Sequence, residues 1–179
     1  MPTRYRMIFA GPVGAGKTTA VRALSDVPMV DTEVPMSAVT PEGEDKTTTT
    51  VGLDYGSWKP TTEVSVALIG IAGQQRFASA RQTATLPGTR ILLWLRADRS
   101  DMAAEAEAWL AEFAGQEHRV VIAISHAPDR TVGSLRRALA EVLQRHGLPP
   151  ARVLLADARD RDSVIRVACA ALDLPEENR

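Results

Sequence analysis

The stretch Gly11-Pro12-Val13-Gly14-Ala15-Gly16-Lys17-Thr18 fits the pattern G-x-x-x-x-G-K-[ST], which cradles nucleotide phosphates. It follows the short apolar run 5–10 and precedes a segment with helical spacing, so it has the strand, loop and helix context that the pattern requires. Its glycines allow backbone N–H groups to point at phosphate oxygens, next to the positive end of the following helix. In such a loop Lys17 bridges the outer two phosphates, and the Thr18 hydroxyl is a ligand of Mg²⁺.

The stretch therefore predicts a nucleotide site near the amino end of the chain. The pattern is compatible with ATP and with GTP, and with an enzyme or a switch. The residues predicted to contact the phosphates are Gly11, Val13, Gly14, Ala15, Gly16, Lys17, Thr18 and Thr19.

The composition predicts a soluble, cytoplasmic protein. With 179 residues, the chain is expected to form a single domain over residues 1–179. A net charge of −1 and a pI near 6.3 give no general attraction to nucleic acid, so phosphate recognition is expected to be local. The single cysteine, Cys169, has the spacing of a core residue in a helix and fits a reducing compartment. No apolar run approaches the ~20 residues that span a bilayer, and residues 1–4 do not begin a signal peptide.

Strand-like and helical patterns alternate along the chain, which is typical of an α/β fold with a mostly parallel sheet covered on both faces. The runs 91–95 and 120–124 are continuously apolar, as expected of strands buried on both sides. Helical spacing gives an apolar face to residues 102–113, 135–146 and 163–172. Further strands are predicted at 7–10, 51–58, 64–69 and 153–155, and a further helix at 17–24.

One connection, residues 28–50, is long and shows no apolar periodicity. It contains three prolines and the acidic patch 42–45. Connections of this length within a compact domain are usually functional or disordered. Both interpretations agree with a loop that becomes ordered only around bound nucleotide.

Two further motifs follow this loop in order. Thr50-Val51-Gly52-Leu53-Asp54-Tyr55 comes directly after it, and Gly70-Ile71-Ala72-Gly73-Gln74-Gln75-Arg76-Phe77 comes after the next predicted strand. Together with the phosphate loop, these motifs make the chain resemble the Ras-like small GTPases from about residue 5 to residue 172. With the threonine-rich segment 46–50, the chain is most similar to the bacterial small GTPases of the gliding-motility and actinobacterial conservon types.

The resemblance implies a P-loop small-GTPase fold: a six-stranded, mostly parallel sheet with five helices, in which the strand from Val51 is the antiparallel edge. It also implies GTP and GDP as ligands, together with Mg²⁺. The Thr50 hydroxyl would reach Mg²⁺ and its N–H the γ-phosphate, with residues 47–49 as close alternatives. The Gly73 N–H would contact the γ-phosphate, and Gln74 would orient the attacking water. The predicted catalytic residues are Gln74, Lys17 and Thr50, and the predicted metal ligands are Thr18 and Thr50.

Base recognition is predicted at His126-Ala127-Pro128-Asp129, which stands where the family carries N-K-x-D. Asp129 would accept hydrogen bonds from the N1–H and the exocyclic amine of guanine, and adenine offers neither donor. The alternative for Asp129 is a turn or helix cap. Because His126 replaces asparagine and Ala127 replaces lysine, a polar tie to the phosphate loop and the aliphatic cover of the base are expected to be lost.

The last family motif corresponds to Asp157-Ala158-Arg159. The Ala158 N–H could reach the guanine O6, and the aliphatic stem of Arg159 could cover the ring. Any strand-to-helix loop supplies backbone amides, so this motif supports base binding less strongly than the phosphate loop does.

Two departures from the family pattern bear on the chemistry. Gly70 stands where the second-switch motif has an aspartate that holds Mg²⁺ through water, and Asp54, Asp31 or Glu33 could take its place. Members of the bacterial groups named above also often lack that aspartate.

Val13 stands where Ras has glycine, and its β-branched side chain would project toward the γ-phosphate. Slow hydrolysis is the expected consequence.

The sequence thus predicts a GTP-binding signalling switch with slow hydrolysis. GTP and Mg²⁺ would order residues 28–50 and 70–87, and loss of the γ-phosphate would release them. The alternatives are a nucleotide-binding scaffold with negligible turnover and an ATP-binding P-loop protein. Neither a nucleic-acid partner nor a transmembrane segment is expected, and the oligomeric state stays open. Effector or regulatory proteins would dock on an ordered face that presents Leu53, Tyr55, Trp58 and Phe77; the alternative for these four residues is packing in the core.

Overall fold

The computed structural model describes residues 3–35, 50–71 and 82–174. These residues form seven strands and five α-helices that largely alternate along the chain. The strands are β1 (Thr3–Ala10), β2 (Val30–Pro35), β3 (Thr50–Thr61), β4 (Val64–Ile71), β5 (Thr89–Arg96), β6 (Val120–Ser125) and β7 (Val153–Leu155). The helices are α1 (Lys17–Leu24), α2 (Met102–Glu112), α3 (Val132–Ala138), α4 (Ala140–Arg145) and α5 (Arg161–Leu172).

The strands form one sheet in the order β2-β3-β4-β1-β5-β6-β7. β3 is antiparallel to both of its neighbours, and the pairs formed by β1, β4, β5, β6 and β7 are parallel. The predicted mostly parallel sheet with one antiparallel strand is therefore confirmed. Val30–Pro35, which was expected to be loop, adds a strand outside β3, so the antiparallel strand is the second of the sheet and not its edge.

Alternate residues of the central strands supply two apolar layers. Ile91, Leu93 and Leu95 of β5 pack on the side of α2, α3 and α4, whereas Leu92 and Trp94 pack on the side of α1 and α5. All five of these side chains are fully buried. The continuously apolar runs were predicted to be buried on both faces, and the structure confirms this. Cys169 of α5 lies in the second layer, as its spacing predicted.

Side-chain caps fix the start of two helices. The Thr131 hydroxyl accepts a hydrogen bond from the backbone N–H of Ser134 at the start of α3, and the Asp160 carboxylate accepts one from Ser163 at the start of α5. The helix predicted at 135–146 consequently begins earlier, at Val132, and it is interrupted at Leu139. The longest α-helix of the described residues, α5, has 12 residues, well short of the ~20 that cross a bilayer.

Candidate functional site

The glycine-rich loop leads from the carboxyl end of β1 into α1. Gly16 occupies the N-cap position of α1 with a φ of 102°, a left-handed conformation that favours glycine. A Cβ at Gly16 would lie 2.9 Å from the Cβ of Ala158, so the loop packs closely against the segment that follows β7. Within the described residues no side chain caps α1. The N–H groups of its first turn are therefore available to an anion.

Lys17 is held inside this loop. Its side chain is 7% exposed, and its Nζ donates hydrogen bonds to the carbonyl oxygens of Gly11 at 2.7 Å and Pro12 at 2.6 Å. Burial lowers the pKa of Lys17 to about 8, against a smaller opposing effect of the Asp54 and Glu105 carboxylates. The ammonium group thus lies where the loop pattern requires it, at a cost in hydration that a bound phosphate would offset.

Thr18 meets a carboxylate of the neighbouring sheet. Its Oγ1 donates a hydrogen bond to Oδ2 of Asp54 on β3, over 2.5 Å. Asp54 pairs in register with Gly70 of β4, and a Cβ at Gly70 would lie 2.8 Å from the Cβ of Asp54. Asp54 therefore fills the space beside Gly70, the position where the family resemblance expected a carboxylate.

A cavity of about 570 Å³ opens beside the loop at the carboxyl edge of the parallel strands. This volume lies within the range of small-molecule and cofactor sites, which is about 300–1,000 Å³. Nucleotides commonly bind at this edge of α/β sheets. Three loops line the cavity: the glycine-rich loop, the loop after β6 and the loop after β7. The lining residues include Gly14, Gly16, Thr19, His126, Ala127, Pro128, Asp157, Ala158 and Arg159.

A polar tie to the glycine-rich loop is present, although it does not come from His126. The buried hydroxyl of Ser125, the last residue of β6, contacts the carbonyl oxygens of Ala15 at 3.0 Å and Leu95 at 3.2 Å. His126 has a φ of 54° and its Nδ1 lies 2.8 Å from the Ser125 Oγ. The contact with the loop thus comes from Ser125, one position before the residue that replaces the family asparagine. The sequence signal was a serine ending a wholly apolar strand.

The two predicted base-recognition segments are placed differently. Ala158 and Arg159 line the cavity, and Arg159 donates two hydrogen bonds to the Asp157 carboxylate, at 3.1 and 3.0 Å. These bonds hold the pKa of Asp157 below its usual range. Asp129 is exposed beside a turn between Ala127 and Arg130, and it is not among the cavity-lining residues. A role of Asp129 in guanine recognition stays a prediction.

Arg96 is a residue at the loop that the sequence analysis missed. It ends β5, and its Nη1 lies 3.5 Å from the carbonyl oxygen of Gly14. Two further hydrogen bonds, at 2.9 and 2.6 Å, join its guanidinium to the Asp98 carboxylate. An arginine after an apolar strand gives no sign of its neighbours in sequence. The contact depends on β5 lying beside β1 in the sheet.

Several predicted residues fall elsewhere. Gly73, Gln74 and Phe77 lie outside the described residues. Thr50 begins β3 and pairs with Pro35 in backbone register.

Of the face predicted for partner proteins, Tyr55 is 49% exposed. Trp58 is 3% exposed and packs in the apolar layer of α1 and α5, so its predicted place on a docking face is wrong.

No protein-family model and no curated protein sequence matches the chain. Among solved structures, the chain is similar to the crystal structure of the G domain of the T. maritima FeoB iron transporter. The TM-score is 0.59 at 16% sequence identity, over 93% of this chain and 99% of that one. The chain therefore has the fold of a P-loop GTPase G domain, as the sequence predicted.

Proposed function

We propose that the chain is a GTP-binding switch with slow hydrolysis, related to the bacterial small GTPases of the gliding-motility and conservon types. The observation that carries this proposal is the continuity of the glycine-rich loop with the adjoining cavity. Gly14, Gly16 and Thr19 line the cavity, and the buried ammonium group of Lys17 lies in the same loop. A triphosphate on the loop would thereby place its base in a cavity lined by the segments after β6 and β7.

Each side chain has a defined part in this proposal. Lys17 would turn from the Gly11 and Pro12 carbonyls to the outer phosphates, and Thr18 would help to hold Mg²⁺. When bound, Mg²⁺ neutralises charge on the β- and γ-phosphates. Gln74 would orient the attacking water. Thr50 would contact the γ-phosphate, so that the order of residues 28–50 would depend on whether this phosphate is bound.

Titration calorimetry with GTP, GDP and ATP in the presence of Mg²⁺ tests the proposal. We expect heat from both guanine nucleotides and weaker binding of ATP. Chromatography of any nucleotide that co-purifies with the protein provides an independent identification of the base. Absence of binding to all three nucleotides would exclude the proposed function.

One observation favours a second candidate, an ATP-binding P-loop protein. The exposed Asp129 is not among the cavity-lining residues, so the carboxylate that would reject adenine is not placed at the cavity. The same calorimetry separates the candidates, since ATP affinity equal to or greater than GTP affinity would select the second. Turnover separates either of them from a scaffold that only binds nucleotide.

Replacing Val13 is expected to accelerate hydrolysis. The Val13 side chain is 68% exposed on the phosphate loop, where it would occupy space that Gln74 or a partner's arginine needs. Small misplacements at the reacting atoms can cost about 10²-fold in rate, so Val13→Gly should raise single-turnover GTP hydrolysis by roughly ten- to a hundredfold. Val27→Gly is the matched control, because Val27 is an exposed valine outside the loop. Equal rates for the wild type and Val13→Gly would contradict the steric argument.

Nucleotide affinity is expected to fall above about pH 8. The pKa of Lys17 is about 8 without ligand because of burial, and a bound phosphate would raise it. The contribution of the ammonium group is therefore fully present below pH 8 and is lost as the pH rises toward the pKa of the complex. The fall should approach tenfold per pH unit, which fluorescence titration of a labelled GDP from about pH 7 to about pH 9 would measure. A flat profile that matches that of Lys17→Met would contradict the assignment.

The proposed output is binding of effector or regulatory proteins in the cytoplasm. By the family resemblance, residues 28–50 and 70–87 would respond to the nucleotide, and the exposed Tyr55 of β3 pairs in register with Val30 of the first segment. Amide hydrogen exchange in the GTP and GDP states tests the switch. We expect greater protection of both segments with GTP, and identical protection in the two states would argue for a scaffold.

A further inference from the structure

We propose that Asp54 supplies the carboxylate that holds Mg²⁺ beside the nucleotide. It would replace the family aspartate, whose position is occupied by Gly70 in this chain. The inference deepens the proposed function and rests on it. The carboxylate would come from β3, from the residue that pairs with Gly70 of β4.

The geometry at this pair leaves room for a single carboxylate. A Cβ added to Gly70 would lie 2.8 Å from the Asp54 Cβ and 2.9 Å from its Oδ2. Both distances are shorter than those of ordinary non-bonded contacts, so an aspartate at position 70 would displace the Asp54 side chain. Gly70 is thus the residue that lets Asp54 occupy this place. The absence of an aspartate on β4 and the presence of one on β3 are two aspects of the same arrangement.

The Asp54 carboxylate also reaches the hydroxyl group that the loop motif assigns to the metal. Thr18 Oγ1 donates to Asp54 Oδ2 over 2.5 Å, which joins β3 to the first turn of α1. Mg²⁺ is bound by oxygen ligands, usually one or two carboxylates with phosphate oxygens and several waters. A threonine hydroxyl and a carboxylate at the phosphate loop fit this donor set. In the part of the chain that is described, no cluster of three His, Cys, Asp or Glu side chains could hold a metal instead.

Of the three acidic residues that the sequence left as alternatives, Asp54 has a side-chain contact with the loop, the hydrogen bond from Thr18. Asp31 and Glu33 lie on β2, the edge strand, which is one strand farther than β3 from the loop after β1. Asp31 faces Asp54 across the β2 and β3 pair. Asp54 acts on the loop as well, because its charge opposes the lowering of the Lys17 pKa by burial.

The test measures how much Mg²⁺ strengthens the binding of fluorescent GDP, by comparing dissociation constants in excess Mg²⁺ and in EDTA. Asp54→Asn keeps the shape and can still accept from Thr18, but it removes the charge. We expect this variant to lose most of the Mg²⁺ enhancement, about tenfold or more, while its affinity in EDTA is retained or improved. Asp31→Asn is the matched control, because it removes the same charge from the facing residue of β2 and should keep the full enhancement.

A second variant transfers the carboxylate back to β4. Asp54→Gly combined with Gly70→Asp should recover the Mg²⁺ enhancement that Asp54→Gly alone loses, because glycine at position 54 removes the Cβ that lies 2.8 Å from a Cβ added at Gly70. Circular dichroism would verify that each variant is folded. Full enhancement in Asp54→Asn, in a wild type that shows it, would overturn this inference and leave the proposed function intact. A wild type whose GDP binding ignores Mg²⁺ would also overturn the inference alone. A wild type that binds no nucleotide with or without Mg²⁺ would overturn both.

Discussion

Lys17→Met is expected to lower the affinity for guanine nucleotide by about 10²- to 10⁴-fold while the protein remains folded. The Lys17 ammonium group lies within the phosphate loop, held by the carbonyl oxygens of Gly11 and Pro12. Hydrogen bonds to a charged group contribute about 1.5–3 kcal/mol each, and Lys17 would make them to two phosphates. At about 1.4 kcal/mol per factor of ten, the expected loss follows. Calorimetry with GDP and GTP measures it.

Thermal unfolding of the nucleotide-free variant distinguishes loss of a ligand contact from loss of structure. The pKa of Lys17 is lowered from 10.5 to about 8, so at neutral pH the folded state keeps the ammonium charged at a cost. Methionine removes that cost together with the two hydrogen bonds, and these effects oppose each other. We therefore expect a melting temperature close to that of the wild type, or above it.

Lys59→Ala is the control, since Lys59 is an exposed lysine on β3 and its replacement removes the same charge away from the loop. It should bind nucleotide like the wild type. Equal affinities for Lys17→Met and the wild type would exclude the loop as the phosphate site. A melting temperature lowered by about 10 °C or more in Lys17→Met would mean that Lys17 serves the fold instead.

The parts of the fold that sequence predicted are those encoded by local pattern. β5 and β6 were evident because a strand buried on both faces must be apolar throughout, and the glycine-rich loop because phosphate contact needs glycine and lysine at fixed spacing. β2 was missed because an edge strand is specified by pairing with β3, which a short segment between prolines does not reveal.

The missed features of the site depend on register between strands that are distant in sequence. The sequence offered Asp54 among three acidic residues, and only the pairing with Gly70 and the bond from Thr18 single it out.

Trp58 and Tyr55 were grouped as one face, yet they are three residues apart in a strand. Because strand side chains alternate, an odd separation places them on opposite faces, and the structure buries Trp58 and exposes Tyr55.

Gly11→Ala is expected to destabilise the protein more than any substitution at a solvent-facing glycine. Gly11 has a φ of 130°, and a Cβ there would lie 2.0 Å from the carbonyl oxygen of Trp94 on β5. Since the obstructing atom belongs to the backbone of a central strand, it cannot rotate away as a flexible side chain would. Backbone strain of this kind costs about 1–3 kcal/mol, and displacement of packed strands adds to it. A total of about 3–5 kcal/mol would remove a large fraction of the 5–15 kcal/mol that stabilises a typical domain.

Gly147→Ala separates the cost of the conformation from the cost of the contact. Gly147 also has a positive φ, 62°, but nothing lies within 4 Å of an added Cβ. This variant should lose only about 1–2 kcal/mol of the free energy of unfolding, which is the cost of placing alanine in the left-handed conformation. With about 2–4 °C per kcal/mol for a chain of this size, the melting temperature should fall by about 6–20 °C in Gly11→Ala and by about 2–8 °C in Gly147→Ala. Equal shifts would show that β1 and β5 can separate at the loop without loss, so that the loop is not held rigidly by the sheet. A larger shift in Gly11→Ala would instead show that the close contact between Gly11 and the Trp94 carbonyl oxygen of β5 holds the phosphate loop rigid.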